Sequence, residues 1–155
     1  MNLATNYYFR TEIIMEIYTD GACKNNPGEG GWGVFWIDPD TKKEHSLYGY
    51  DPKTTNNRME LLALIRALEH FPSGTLTLYT DSNYAYKGIT EWIHGWKKNG
   101  WKTSQKKEVL NKDLWEQLGN LTRPDIKFQW VKAHNQNYGN EKADHFANVA
   151  IQEKK

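Results

Sequence analysis

A chain of 155 residues with 20 Lys and Arg against 19 Asp and Glu carries a formal net charge of +1, so overall charge does not announce a nucleic-acid binder. The length suits one domain with a sizeable core, and a mean hydropathy of -0.84 with no apolar run of bilayer length excludes a helical membrane protein. The single cysteine, Cys23, excludes an internal disulfide and a Cys-based zinc site; with no secretory pattern in Met1 to Thr11, a cytoplasmic protein is expected.

Residues 1–14 read as an N-terminal extension, a candidate for disorder, with Met15 a candidate alternative start; one domain is expected over 15–155. Met15 to Cys23 reads as the first strand. Lys24-Asn25-Asn26-Pro27-Gly28 is a turn punctuated by Pro and Gly. Gly31 to Asp38 and Lys43 to Gly49 read as the second and third strands, with Pro39-Asp40 as the hairpin between them. Asp51 to Asn57 is a polar loop. Asn57 to Phe71 has helical period, with Met59, Leu62, Ala63, Ile65 and Leu68 in its apolar stripe. Asn56 or Asn57 is its expected cap, and Pro72-Ser73-Gly74 its stop.

Thr75 to Thr80 alternates as a fourth strand. Ser82 to Ile89 and Glu91 to Lys98 read as two short helices, the first capped by Ser82. Asn111 to Leu121 is a helix with Leu114, Trp115 and Leu118 on one face. Ile126 to Val131 is the fifth strand, Lys132 to Asn140 a loop, and Asn140 to Gln152 the last helix. Strands alternating with helices after an initial meander predict an α/β fold: a five-stranded mixed sheet, three antiparallel strands plus two parallel, flanked by helices.

Four acids stand where this fold would gather a ligand. Asp20 ends the strand Ile17-Tyr18-Thr19, where aspartate is a poor strand former. Asp81 ends the strand Leu76 to Thr80. Glu60 lies in the first turn of the helix between those strands, and Asp144 near the start of the last helix. Ligands of open α/β sheets bind beyond the carboxyl ends of strands. If the first and fourth strands are parallel neighbours, about 4.8 Å apart, Asp20 and Asp81 share one small volume. Carboxylates packed so closely repel unless a cation neutralises them. An all-oxygen donor set favours Mg²⁺ or Mn²⁺ over zinc. Two such ions about 3.5–4 Å apart activate a water and stabilise a leaving oxygen in phosphoryl transfer.

His134 sits in the polar loop before Asp144, where a neutral imidazole could pass a proton near pH 7. Asn26, Asn56 and Asn57 are loop amides beside the acids, suited to base edges and 2′-hydroxyls in a wide minor groove. Lys97, Lys98, Lys102, Lys106 and Lys107 interleave with Trp92, Trp96 and Trp101, a combination of phosphate-neutralising charge and flat apolar surface. Trp92 reads as core; Trp96 and Trp101 are candidates either for packing the segment's helices or for lying against deoxyribose. Gly28-Glu29-Gly30-Gly31-Trp32-Gly33 fits the dinucleotide pattern G-x-G-x-x-G, but it precedes a strand instead of opening a helix, so no dinucleotide site is expected. Asn120-Leu121-Thr122 fits a glycosylation sequon and is discounted for want of a secretory signal.

Tyr18 to Cys23, Asn26-Pro27-Gly28, Thr55-Asn56-Asn57-Arg58-Met59-Glu60-Leu61, Thr80-Asp81-Ser82, Gly88 to Lys98, Trp130 to His134 and Asn140-Glu141-Lys142-Ala143-Asp144 together resemble type 1 ribonuclease H of the bacterial kind, over nearly the whole chain from about Glu16. The resemblance implies a ribonuclease H-like fold and endonucleolytic cleavage of the RNA strand of an RNA–DNA hybrid, giving 5′-phosphate and 3′-hydroxyl ends. It implies Asp20, Glu60, Asp81 and Asp144 as the ligands of two Mg²⁺ ions, and His134 as an auxiliary group near the attacking water or the product. It further implies hybrid contacts from Asn26, Asn57 and Asn83, with Cys23 and Thr55 near the backbone, and a basic protrusion over Trp92 to Lys107. Ala133, Asn83 and Asn99 stand where many relatives carry Gly, Gln and a basic residue; none of these changes removes an acid. A monomer is expected. An integrase-like or reverse-transcriptase-derived domain and a non-catalytic hybrid-binding module are the competing readings, and the module would have lost an acid.

Overall fold

The computed structural model describes residues 13–155, so the expected extension over 1–14 lies outside the described residues apart from its last two. A five-stranded sheet in the order β3-β2-β1-β4-β5 forms the frame. The strands are β1 (Ile14–Cys23), β2 (Gly28–Ile37), β3 (Glu44–Thr54), β4 (Thr75–Thr80) and β5 (Ile126–Trp130). β1 to β3 form an antiparallel meander, while β4 runs parallel to β1 and β5 parallel to β4, as the alternation of strands and helices predicts.

Among the described residues five α-helices flank the sheet: α1 (Asn56–His70), α2 (Asn83–Lys87), α3 (Ile93–Lys98), α4 (Lys112–Leu121) and α5 (Tyr138–Glu153). α1 buries Met59, Leu61, Leu64, Ile65 and Leu68, which join Ile17, Leu76 and Leu78 of the sheet in the core. Each such side chain removed from water contributes roughly 1.5–3 kcal/mol. α5 covers β1 to β3 with the small residues Ala143, Ala147 and Ala150. That approach is close enough that a β-carbon on Gly33 would stand 2.3 Å from the Ala143 carbonyl oxygen. Trp115 of α4 is fully buried, and with Leu118 it ties α4 to the same core.

Several boundaries differ from the sequence reading. The polar loop expected over Asp51 to Asn57 is strand as far as Thr54, because a bulge between Gly28 and Gly30 of β2 lets Pro52 sit on an edge strand. Thr55, not Asn56 or Asn57, caps α1: its side chain accepts a hydrogen bond from the Arg58 N–H. The two helices expected across Ser82 to Lys98 are one continuous helical path, α2 passing through a π-helical turn (Gly88–Trp92) into α3. Gly88 allows it, since the Trp115 ring fills the space where its side chain would be. α5 starts at Tyr138, capped by Asn137. Trp92, expected in the core, is 40% exposed.

Candidate active site

Asp20 reaches the site from the C-terminal part of β1, Glu60 from the second turn of α1, and Asp81 from the residue after β4. One oxygen from each lies within 4.8 Å of the other two. The crossover from β1 through α1 to β4 produces this meeting, since β1 and β4 are parallel neighbours whose register, Tyr18 beside Tyr79, brings Asp20 level with Asp81. Asp144, in the second turn of α5, lines the same cleft. A cleft of about 240 Å³ opens here, lined by the four acids together with Gly21, Asn56, Ser82 and His134.

Asp20 and Glu60 are buried, at 5% and 2% exposure. The Gly21 N–H donates to Asp20 Oδ1 at 2.9 Å and also to Glu60 Oε1. Such an approach needs a glycine, because a β-carbon at Gly21 would lie 2.4 Å from the Glu60 backbone nitrogen. Burial, and then the Glu60 and Asp81 charges, push the Asp20 carboxyl far above the usual carboxylate range. Burial raises Glu60 as well, against the Gly21 N–H, which favours its charged form. Asn140, buried in the first turn of α5, donates from Nδ2 to Asp81 Oδ2 at 3.2 Å, and Trp130 Nε1 donates to the Asp81 carbonyl oxygen at 3.1 Å.

A donor set of carboxylate oxygens, crowded and short of positive charge, fits a hard divalent cation. Asp20, Glu60 and Asp81 can hold one directly; Asp144 borders the same cleft. His134 is brought to that cleft on the loop after β5, where its backbone takes the left-handed region (φ 53°).

The expected substrate residues divide. Asn56 lines the cleft, and its N–H donates to Asn26 Oδ1 at 3.0 Å, so the two loops brace each other. Asn57 follows in the first turn of α1 beside the capping Thr55. Asn83 is exposed at the start of α2. Cys23 Sγ faces the Thr54 carbonyl oxygen at 3.4 Å and is half-buried. Trp96 stacks obliquely among Trp92, Trp101 and Trp115, with ring centroids 5.3–6.2 Å apart. A shallow depression joins Trp92 and Trp96 to Asn99, Lys102 and Thr103. Lys97, Lys98 and Lys102 are all exposed, and Lys97 Nζ also donates to the Gly119 carbonyl oxygen of α4 at 3.3 Å.

Two features escaped the sequence reading. Asn140 belongs to the motif Asn140-Glu141-Lys142-Ala143-Asp144, but only the fold shows it holding Asp81. Arg58, in the same block as Glu60, forms a paired salt bridge to Asp113 at 2.7 Å and also reaches Asn111 Oδ1. Asn111 donates to the Tyr84 hydroxyl. These bonds fix α4 and α2 beside the cleft.

The chain matches the family model described as RNase H over residues 12–152. It is 54% identical over 147 residues to the ribonuclease H of Francisella tularensis subsp. novicida, covering 94% of this chain and 95% of the relative. Among solved structures it resembles LC9-RNase H1, a type 1 RNase H with the type 2 active-site motif, at TM-score 0.80 and 28% identity, covering 94% of this chain and 75% of that one. It also resembles LC11-RNase H1 in complex with RNA/DNA hybrid, at TM-score 0.69 and 26% identity, covering 90% and 98% of the two chains.

Proposed function

The chain belongs to the ribonuclease H family, type 1, and from that premise we propose that it is an endoribonuclease cutting the RNA strand of RNA–DNA hybrids to 5′-phosphate and 3′-hydroxyl ends. The observation that carries this reading is the convergence of Asp20, Glu60 and Asp81 within 4.8 Å, at the strand edge where Asp144 and His134 also border the cleft.

In this reading Asp20, Glu60, Asp81 and Asp144 would hold two Mg²⁺ ions, with Mn²⁺ as a substitute. The bound metal would neutralise the crowded acids and supply Lewis acidity for a water nucleophile and the departing 3′-oxygen. Asn140 fixes the Asp81 carboxylate so that one oxygen keeps its direction. His134, on its loop above the acids, takes or returns a proton at the imidazole as the phosphodiester opens. Asn56, Asn57, Asn26 and Asn83 read the minor groove, where a 2′-hydroxyl distinguishes the RNA strand. Cys23 and Thr55 lie near the hybrid backbone. Trp96 and Trp101 with Lys98 and Lys102 receive the DNA strand, while Lys97 supports them through α4. The protein acts as a cytoplasmic monomer. Among the described residues no helix is long and apolar enough to cross a membrane.

The test is cleavage of a labelled hybrid beside single-stranded RNA, double-stranded RNA and double-stranded DNA, with Mg²⁺ and with EDTA. Cutting confined to the RNA of the hybrid and abolished by EDTA is expected. Asp81→Asn should retain hybrid binding and lose cleavage by at least about 10²-fold. Activity of that variant near the parent level would remove Asp81 from the metal site. Hybrid binding without any cutting by the parent would favour the non-catalytic module.

A further inference from the structure

Tyr18 and Tyr79 are partners across the parallel β1–β4 pair, and their rings stack with centroids 4.6 Å apart and planes 12° from parallel. The Tyr79 hydroxyl donates to Glu16 Oε1 at 2.9 Å, which fixes the outer ring. Each tyrosine lies two residues before an acid, Tyr18 before Asp20 and Tyr79 before Asp81.

The Tyr18 ring also meets Gly139, the second residue of α5. A β-carbon at 139 would lie 2.4 Å from Cδ2 and Cε2 of that ring, far inside contact distance. Gly139 is buried, and the helix turn it belongs to carries Asn140, which donates to Asp81. The Asn137 side chain caps this turn by accepting from the Asn140 N–H at 2.9 Å. The loop carrying His134 into the cleft ends at that cap. An aromatic ring has few rotamers and resists compression, so it is a firm stop for a helix end.

We propose that the stacked Tyr18–Tyr79 pair is the seat on which the first turn of α5 rests through Gly139, and that this seat positions Asn140 on Asp81 and His134 over the acids. Tyr18, Tyr79 and Gly139 are thus positioning residues for the reaction. The kinetic part of this inference rests on the nuclease reading; the structural part does not.

The experiment pairs steady-state cleavage with the side-chain amide resonance of Asn140 in ¹⁵N-labelled, metal-free protein. Gly139→Ala should lower kcat about tenfold or more and shift that resonance, because small misplacements of reacting groups are costly. The hybrid KM should stay within about twofold, since no hybrid contact is removed. Adding Tyr18→Val to Gly139→Ala opens room for the methyl group and should restore both kcat and the resonance. In the otherwise native chain Tyr18→Leu should lower kcat and shift the resonance, and Tyr18→Phe, which keeps the ring, should restore both. A Gly139→Ala enzyme with parent kcat, a loss that Tyr18→Val does not relieve, or an unshifted Asn140 resonance would overturn the inference. If Gly139→Ala does not fold, the Leu and Phe pair decides by the same two readouts. If the parent cuts no hybrid, the nuclease reading fails, and the Asn140 resonance still decides the seat.

Discussion

Asp20 and Glu60 sit side by side in a buried place that favours their protonated forms. Because both shifts are upward, the native state binds protons that the unfolded chain has released above about pH 4. Stability therefore falls as pH rises from the ordinary carboxylate range toward the raised values. Asp20→Asn removes one ionisable member. In EDTA at pH 7 this variant should melt above the parent by about 2–4 °C for each kcal/mol relieved. The gain should shrink as pH is lowered toward 4, and calorimetry across that range checks it. No gain at pH 7 would mean that the acids are not in conflict without metal. His134 is exposed and reaches the site on a loop, so its loss should spare the fold. His134→Ala should cut turnover about 10²-fold with residual metal-dependent activity, the usual scale for losing a general acid or base. Unchanged turnover in a single-turnover assay would reduce it to a surface residue. The four acids were legible in the sequence as strand-end and helix-start carboxylates. Asn140 was not, because an asparagine near a helix start reads equally well as a cap.

The elements show how neighbouring lysines can differ in role. Lys97, Lys98 and Lys102 form one basic cluster in the sequence and all three are exposed, but the Lys97 amine is also bonded to the Gly119 carbonyl oxygen of α4. Salt dependence of hybrid binding separates these roles. Lys98→Ala with Lys102→Ala should flatten the slope of log affinity against log salt by about 1–2. Lys97→Ala should change stability more than slope. A slope unchanged by the double variant would place the phosphate contacts elsewhere. Inside this region the sequence predicts a helix break at Thr90. The chain instead keeps its helical course through a π-helical turn, with the Thr90 hydroxyl bonded to the Tyr86 carbonyl oxygen at 2.7 Å. A single-residue expansion of a helix leaves no signature in apolar period, because the flanking turns keep their own phase.

For the whole molecule, Trp115 joins the protrusion to the core. It is fully buried, its ring fills the space beside Gly88 and lies against Trp96, and its Nε1 donates to the Tyr84 hydroxyl at 3.0 Å. Trp115→Ala should cost about 3–5 kcal/mol in urea unfolding. It should also weaken hybrid binding, because α2, the π-helical turn and α3 lose their common support. A small stability loss would show that α4 is held mainly by Arg58 and Asp113. The seven tryptophans announced an aromatic cluster, but which faced solvent depended on how α3 and α4 meet, and Trp92 emerged exposed.

Residue type and local period were enough to determine the α/β class, the order of strands and helices, the four acids and the ribonuclease H resemblance. Those features are written in short stretches: alternation, apolar stripe, turn residues, motif spacing. Tertiary structure alone decided that Thr55 caps α1, that β3 runs on to Thr54 through a bulge, that Lys97 is tied to α4, and that Tyr18 meets Gly139. Most of these join residues distant in sequence. Their geometry is set by how closely helices approach the sheet, a distance governed by side-chain volume on both surfaces at once.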